Sequence, residues 1–573
     1  MKNENLKLKT LFAYCQKKID VAIIALGATI VGPILFLPTL AMAQYNPLEN
    51  HAQVFPQTKV MMIDYIGDGW NSPAKDPVIL QFMATHYDAI IGGHDMTPYT
   101  ANKPPQFMYV NYYCTYVGSS EYQDAQTWAS SHGVDFESFF IHYASPTHAC
   151  FGSACFDLPA GSRVPTYGWY GSGGDLTKNG SRVVFNVGNS NYRQWRLDNI
   201  AQSFSSKPFF DGVMIDNTAF TSVGVNTPAT SSGGDFVEYP HSAGGNAGTD
   251  YGDDLVTLFS EFKTKFGSSK GQLPNVSSAG GGEPRIYPFV WGLFREMTLQ
   301  PVKTAWLNGI YKGIAESEAS GVKNLMGSVV FEDRHAIASL ALYYLLKTNS
   351  TYFFPIQNNV ADGYGIDPRI NQWFGAVAYD IGHPVNDSPT QKKYFTFAAG
   401  IDPYSSQKIT MNVQTVTGGG SYYQLVDPSQ NWTDEQWRGK KIVFPSGLVM
   451  SVYHSGSNWI SLWAPAEVPA VGTYQIGNYS YVVYGREFTN ALVLFRPLGD
   501  SYKTDDSTAS VEQLPVTANN PSGRYLILNK DGTINPIPVT TVTLRNTEGV
   551  ILINASDVTD SVPPAAPTGL TIQ

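Results

Sequence analysis

The stretch Phe209-Phe210-Asp211-Gly212-Val213-Met214-Ile215-Asp216-Asn217 decides how the rest of the chain is read. A short apolar run bounded by turn residues is the pattern of a strand buried on both faces, as in parallel α/β sheets. This one ends in a carboxylate and an amide. By alternation, Asp216 shares a face with Gly212 and Met214, while Val213 and Ile215 share the other. In a parallel α/β barrel the carboxyl ends of the strands open into the active site, so an acidic residue there is placed for chemistry. The plain alternative is an Asp that caps the following loop.

Runs of the same kind recur on both sides. Lys59 to Ile66 carries Asp64 and Tyr65 near its end, Tyr87 to Gly93 is followed by His94, and Gln106 to Tyr113 closes on Asn111 and Tyr112. Leu273 to Ala279 reads as a fifth strand, Tyr311 to Glu318 as a sixth, Gly327 to Asp333, with Glu332, as a seventh, and Ser350 to Gln357 as an eighth. Between them lie amphipathic helices. Leu197, Ile200, Ala201 and Phe204 stand at i, i+3, i+4 and i+7, and a second helix opens at Asp253 and Asp254 and stops at Gly267. The helix from His335 to Lys347 is apolar nearly all round, which predicts cover on more than one side. This alternation over roughly 320 residues predicts an α/β chain with a (β/α)8 TIM barrel at 44–392.

Beyond about residue 393 the pattern becomes short β runs with glycine turns, as in a C-terminal β-sandwich. The sandwich is expected at 393–410 and 480–555, with a small all-β module inserted at 411–479 and a stiff proline-containing tail at 556–573. Trp432, Trp437, Trp459 and Trp463 of the module can serve either as its core or as a sugar platform.

Formal charge is -10 without basic clusters in the body of the chain, which argues against nucleic acid as a partner. Aromatic residues make up 13% of the chain, a supply suited to stacking on sugar rings as well as to core. At the start, Lys2, Lys7, Lys9, Lys17 and Lys18 precede an apolar run from Val21 to Leu40, then Ala41-Met42-Ala43. These features predict a signal peptide at 1–43 and a secreted, periplasmic or cell-surface protein with no stable membrane insertion after cleavage. An uncleaved membrane anchor is the competing reading. Of the remaining cysteines, Cys114, Cys150 and Cys155, an oxidising compartment permits one bridge and leaves the pairing open. Neither a metal-ligand pattern, a phosphate loop nor a serine elbow stands out, so no metal and no cofactor are expected. Oligomeric state is not legible.

On these residues the chain resembles the glycosyl-hydrolase-like barrels catalogued as hypothetical glycosyl hydrolase family 15, which are distinct from the glucoamylases. The resemblance spans about 57–400 and 480–553. It rests on Asp211 to Asn217 and Asn189 to Trp195, with Val377 to Pro384 and Arg486 to Leu494 in support. It implies a glycosidase-type barrel of retaining type; together with the leader, the expectation is a secreted glycoside hydrolase acting on a poly- or oligosaccharide. Such barrels place a nucleophilic and an acid/base carboxylate at the ends of two strands, commonly the fourth and sixth. Carried over, that gives Asp216 and one of Glu316 and Glu318. Asp64, Tyr65, His94, Asn111, Tyr112, Asn217 and Glu332 are the expected binders of substrate hydroxyls. The rival reading is a non-catalytic carbohydrate-binding or exopolysaccharide-associated protein on the same scaffold.

Overall fold

The computed structural model describes residues 46–64, 76–151, 154–166, 181–223, 229–230, 235–241, 245–276, 284–296, 299, 304–330, 333–357, 373–385, 394–403, 405–497, 510–516 and 524–555. The expected leader at 1–43, Tyr65, Glu332 and the tail at 556–573 lie outside these residues, and Asp64 is described only in its backbone. The chain is mixed α/β with a C-terminal all-β region. Among the described residues no helix is long and apolar enough to cross a membrane.

Eight parallel strands organise residues 61–357: β1 (Met61–Asp64), β2 (Ala89–Gly92), β3 (Gln106–Asn111), β4 (Gly212–Asp216), β5 (Gly271–Pro274), β6 (Gly292–Arg295), β7 (Lys323–Val330) and β8 (Thr351–Gln357). They form a five-stranded sheet in the order β1-β2-β3-β4-β5 and a three-stranded sheet in the order β6-β7-β8. The outer strands of the two sheets meet through single parallel bridges, Asn275 with Phe294 and Val60 with Phe353. One side-chain parity from every strand fills a common apolar cluster, with Ile63, Ile91, Phe107, Met214, Leu273, Phe294, Leu325 and Phe354 all buried. The opposite parity of β4, Val213 and Ile215, packs outward. Gly212 and Gly271 stand opposite each other where β4 and β5 begin. A Cβ on Gly212 would lie 2.2 Å from the Gly271 carbonyl oxygen, so only a residue without a side chain lets the strands approach this closely.

Among the described residues, six helices of ten or more residues lie outside this layer. They are α1 (Pro77–His86), α2 (Ser120–Ser131), α3 (Ser190–Ser206), α4 (Ala247–Phe266), α5 (Thr304–Ala319) and α6 (Asp333–Leu346). Ile200 and Phe204 of α3 and Leu255, Leu258, Phe259 and Phe262 of α4 share the cluster that takes Val213 and Ile215. Asn189 caps α3 by accepting from the amides of Asn191 and Tyr192. The second helix begins earlier than expected, at Ala247, because Asn246 caps it there, and it ends at Gly267 with φ +67. Helix α6 is covered on both sides: Leu342 and Leu346 share a cluster with Phe353 of β8 and with Phe488, Val493 and Ile551 of the C-terminal region. Buried Arg486 joins the two parts by donating from Nη1 to the carbonyls of Tyr344 (2.8 Å) and Lys347 (2.7 Å), at the negative end of the α6 dipole.

One sequence expectation fails here. Residues Tyr311 to Glu318 are not the sixth strand; they are the C-terminal half of α5. Leu307, Ile310 and Ile314 recur at i, i+3 and i+7 and are buried together, so burial follows the helical period. Strand six is the shorter Gly292–Arg295, and the glutamate that follows it is Glu296.

The excursion between β3 and α3 carries a two-stranded antiparallel sheet, in which Cys114–Tyr116 pairs with Arg182–Val184, and, between those strands, a hairpin of Thr147–Phe151 with Ala154–Leu158. In the hairpin, Cys150 and Cys155 face each other across the strands and form the disulfide, leaving Cys114 as a buried thiol. His142 binds the excursion to the segment after β4, with Nδ1 2.7 Å from Glu238 and Nε2 2.9 Å from Glu137. Burial opposes its protonation, but the two carboxylates outweigh burial and hold its pKa up at about 9.

The C-terminal region holds a five-stranded antiparallel sheet in the order Phe395–Ile401, Ser480–Phe488, Ala491–Arg496, Glu548–Asn554, Tyr525–Ile527. Ile401 and Ser480 are direct partners in it. Between them, Lys408 to Gly477 forms two four-stranded antiparallel sheets around their own core, which includes Met411, Leu425, Trp437, Ile460 and Ile476. This β unit opens at Lys408 because Lys408–Val413 pairs along its whole length with Gly472–Gly477.

Candidate active site

Three strands bring polar side chains of the inward parity to their carboxyl ends. On β4 the series Gly212, Met214 ends in Asp216; after β5 the series Gly271, Leu273 ends in Asn275; after β6 the series Gly292, Phe294 ends in Glu296. Register fixes their mutual height. Phe294 bridges Asn275, and Asn275 donates its backbone N–H to the Ile215 carbonyl at 2.7 Å.

Asp216 is half-buried and saturated with donors. Its Oδ1 accepts from the Asn217 amide at 2.8 Å and from Asn275 Nδ2 at 2.9 Å, and its Oδ2 accepts from the Tyr109 hydroxyl at 2.7 Å and from Asn217 Nδ2 at 2.6 Å. Four donors match the acceptor capacity of one carboxylate. Asn217 reaches both oxygens because its backbone takes the left-handed conformation, φ 55, which Asn tolerates better than most residues. Burial, followed by the charge of Asp216, pushes the Tyr109 phenol well above its ordinary range, so Tyr109 remains a donor.

Asn275 Nδ2 also donates to Glu296 Oε2, again at 2.9 Å. One amide nitrogen therefore holds both carboxylates. The two N–H bonds of a planar amide diverge by about 120°, which sets the two acceptor oxygens about 5 Å apart. Glu296 is held from behind by β7, where Gly327 meets the Glu296 backbone and its carbonyl accepts from the Leu299 amide at 2.8 Å. A Cβ on Gly327 would stand 2.0 Å from the Glu296 carbonyl oxygen. Gly327→Ala is therefore expected to displace Glu296, lower the thermal midpoint by an amount equivalent to about 1–3 kcal/mol, and reduce kcat more than KM. A melt and a steady-state assay on one preparation check it; wild-type values in both would show that Gly327 does not position Glu296.

The other expected site residues divide. Asn217 lies against Asp216 and donates to both of its oxygens. Asn111 lies opposite Asp216 in the sheet, but its Oδ1 is occupied by the amides of Tyr113 (3.0 Å) and Cys114 (3.1 Å), where it turns the chain. Tyr112 has the outward parity and is 1% exposed; it packs on Phe259 and donates to Gln272, so it cannot meet a substrate. His94 is half-buried in the loop after β2, with its carbonyl accepting from Gln106 Nε2. Glu316 and Glu318 are not with Asp216. Glu316 is exposed on α5 beside Lys312, and Glu318 acts electrostatically on Lys59 at the amino end of β1. A helix that follows a parallel strand runs back along it, so the end of α5 lies by the opposite ends of the strands. The residues not foreseen are Tyr109, Asn275 and Glu296.

No protein-family model matches this chain, and no curated protein matches it. Among solved structures it is similar to a cycloisomaltooligosaccharide glucanotransferase of a Paenibacillus species complexed with cycloisomaltoheptaose, at 8% identity over 87% of this chain and 83% of that one, with a TM-score of 0.34. A family GH13_31 enzyme aligns at 10% identity over 73% of this chain and 98% of its own, TM-score 0.31. The GH36 α-galactosidase AgaA of Geobacillus stearothermophilus, complexed with 1-deoxygalactonojirimycin, aligns at 8% identity over 74% and 55%, TM-score 0.29.

Proposed function

We propose that the chain is an exported glycoside hydrolase of retaining type, built on a (β/α)8 barrel, with Asp216 as nucleophile and Glu296 as acid/base. The barrel reading is supported by the two edge bridges and by the apolar cluster that draws on all eight strands. The observation that carries the function is Asn275 Nδ2 donating to Asp216 and to Glu296 at 2.9 Å each. Retaining enzymes need their two carboxyl groups about 5–5.5 Å apart and inverting enzymes about 6.5–9.5 Å, and a shared amide nitrogen favours the former.

In this scheme Glu296 gives its proton to the glycosidic oxygen as the C–O bond breaks. Asp216 attacks the anomeric carbon and forms a glycosyl ester. Glu296, now a carboxylate, then takes a proton from water, whose oxygen displaces Asp216 and completes a hydrolysis with net retention. Tyr109 and Asn217 hold the attacking oxygen in place and bind the Asp216 carboxylate again when it is released. Incubation with α- and β-linked glucans, galactans and mannans, followed by NMR of the first-formed anomer, tests the reading. Products of retained configuration are expected. Inverted products would overturn the assigned geometry, and polysaccharide binding with no product on any substrate would favour the non-catalytic rival.

A further inference from the structure

The inserted β unit carries its own candidate surface. Residues of one parity on Thr415–Gly419, Tyr422–Val426 and Trp459–Trp463 turn toward Leu425, Ile460 and Leu462 in its core, and the other parity forms the opposite face. Of the four tryptophans, Trp437 is 2% exposed and Trp432 packs against that core, so both are structural. Trp463 is 58% exposed. Its direct cross-strand partner Tyr422 is 39% exposed, and Tyr453, whose ring centroid lies 5.7 Å from that of Trp463, is 44% exposed. Large rings left open side by side within so small a unit contribute little to its folding.

The chemistry of the face restricts what can cover it. Beside the rings, Thr417 and Gln424 supply neutral hydrogen-bonding groups. The paired strands there carry no Asp, Glu, Lys or Arg; besides the tyrosines their one titratable side chain is His454, opposite Ser461 and bonded through Nδ1 to Glu435 at 2.8 Å. In a chain of net charge -10 this face is nearly uncharged, which complements a neutral partner and offers little to an anionic polymer or a basic peptide. Strand spacing and the ring contact make the aromatic strip about 10 Å long, the run of two hexose units. We infer that the strip of Tyr422, Trp463 and Tyr453 binds a neutral polysaccharide chain by ring stacking, as a second carbohydrate site apart from the Asp216 centre. The choice of sugar as ligand draws on the proposed function, but the site stands or falls independently of turnover.

Affinity electrophoresis of the full chain through gels containing dextran, hydroxyethylcellulose or galactomannan, with polygalacturonate as the anionic control, provides the test. Retardation is expected on at least one neutral polymer and not on polygalacturonate. It should persist in Asp216→Asn and fall about tenfold in affinity in Trp463→Ala, with a smaller loss in Tyr453→Ala. Both side chains are exposed, so the variants should melt with the parent. Retardation unchanged in Trp463→Ala, no retardation on any neutral polymer, or concentration-dependent self-association that Trp463→Ala abolishes would each overturn the proposal. Hydrolysis without retardation would leave the catalytic reading standing and remove this one; retardation without hydrolysis would do the reverse.

Discussion

Asp216→Asn should abolish turnover while leaving the protein folded and able to bind sugar. The substitution keeps the shape of the side chain but replaces the attacking oxygen with an amide, at the carboxylate that shares the Asn275 amide with Glu296. A loss on the order of 10⁴-fold in kcat or more is the size expected when the group that forms the covalent intermediate is removed. Stability is not wholly spared, because Asp216 accepts from four donors. An amide nitrogen in place of one oxygen faces the Tyr109 hydroxyl and Asn217 Nδ2. The hydroxyl can rotate to accept, whereas the Asn217 donor loses its partner, at a cost of about 1–3 kcal/mol. A thermal midpoint a few degrees lower with retained binding is therefore the expected profile. Asp216→Ala in the presence of azide gives a sharper test, since azide entering from the vacated face should yield a glycosyl azide of inverted configuration. Undiminished activity in Asp216→Asn would refute the catalytic assignment altogether.

The Asp216 strand was legible because it is a clean case. Five residues from Gly212 to Asp216 are apolar up to the functional group, and alternation alone places Asp216 on the face of Met214, where it lies. Strand β6 was not legible, and Arg295 is the reason. A four-residue run that ends in Arg looks like a loop, yet this guanidinium is fully buried outside the strand layer, donating to Asn324 Oδ1 at 3.0 Å. Burial pushes its pKa down to about 10. Such a residue follows from tertiary packing, which periodicity cannot register.

With Gly292–Arg295 unread as a strand, the pattern points instead to Tyr311 to Glu318, where Gly313 breaks up a helical pattern and a pair of glutamates follows an apolar step. Asp216 ends the fourth strand and Glu296 directly follows the sixth. Asn275 lay within the run read as strand five, and the parity of Leu273 was the available signal. The bridging role of its amide was not available, because it depends on the register of three strands that only the folded chain defines.

Glu296→Gln should separate the two chemical roles. Gln keeps an oxygen to accept from Asn275 Nδ2, so the site should hold its shape, but it can neither donate a proton to the leaving oxygen nor accept one from water. Loss of a general acid and base costs about 10²–10⁴-fold. The loss should be full on a polysaccharide, whose alkoxide leaving group needs the proton, and much smaller in the first step with a dinitrophenyl glycoside, which departs unaided. On that activated substrate the second step becomes limiting, so the glycosyl ester on Asp216 should accumulate, KM should fall with kcat, and a burst should precede steady state. Azide, which needs no base, should then restore turnover and give a product of retained configuration, opposite to the outcome in Asp216→Ala. Glu316→Gln and Glu318→Gln serve as controls from the far end of α5 and should stay within about twofold of the parent, as expected of groups outside the site. A Glu296→Gln enzyme that cleaves polysaccharide at the parental rate would remove Glu296 from the mechanism, and a collapse of activity in Glu318→Gln with an unchanged melt would return the acid/base role to α5.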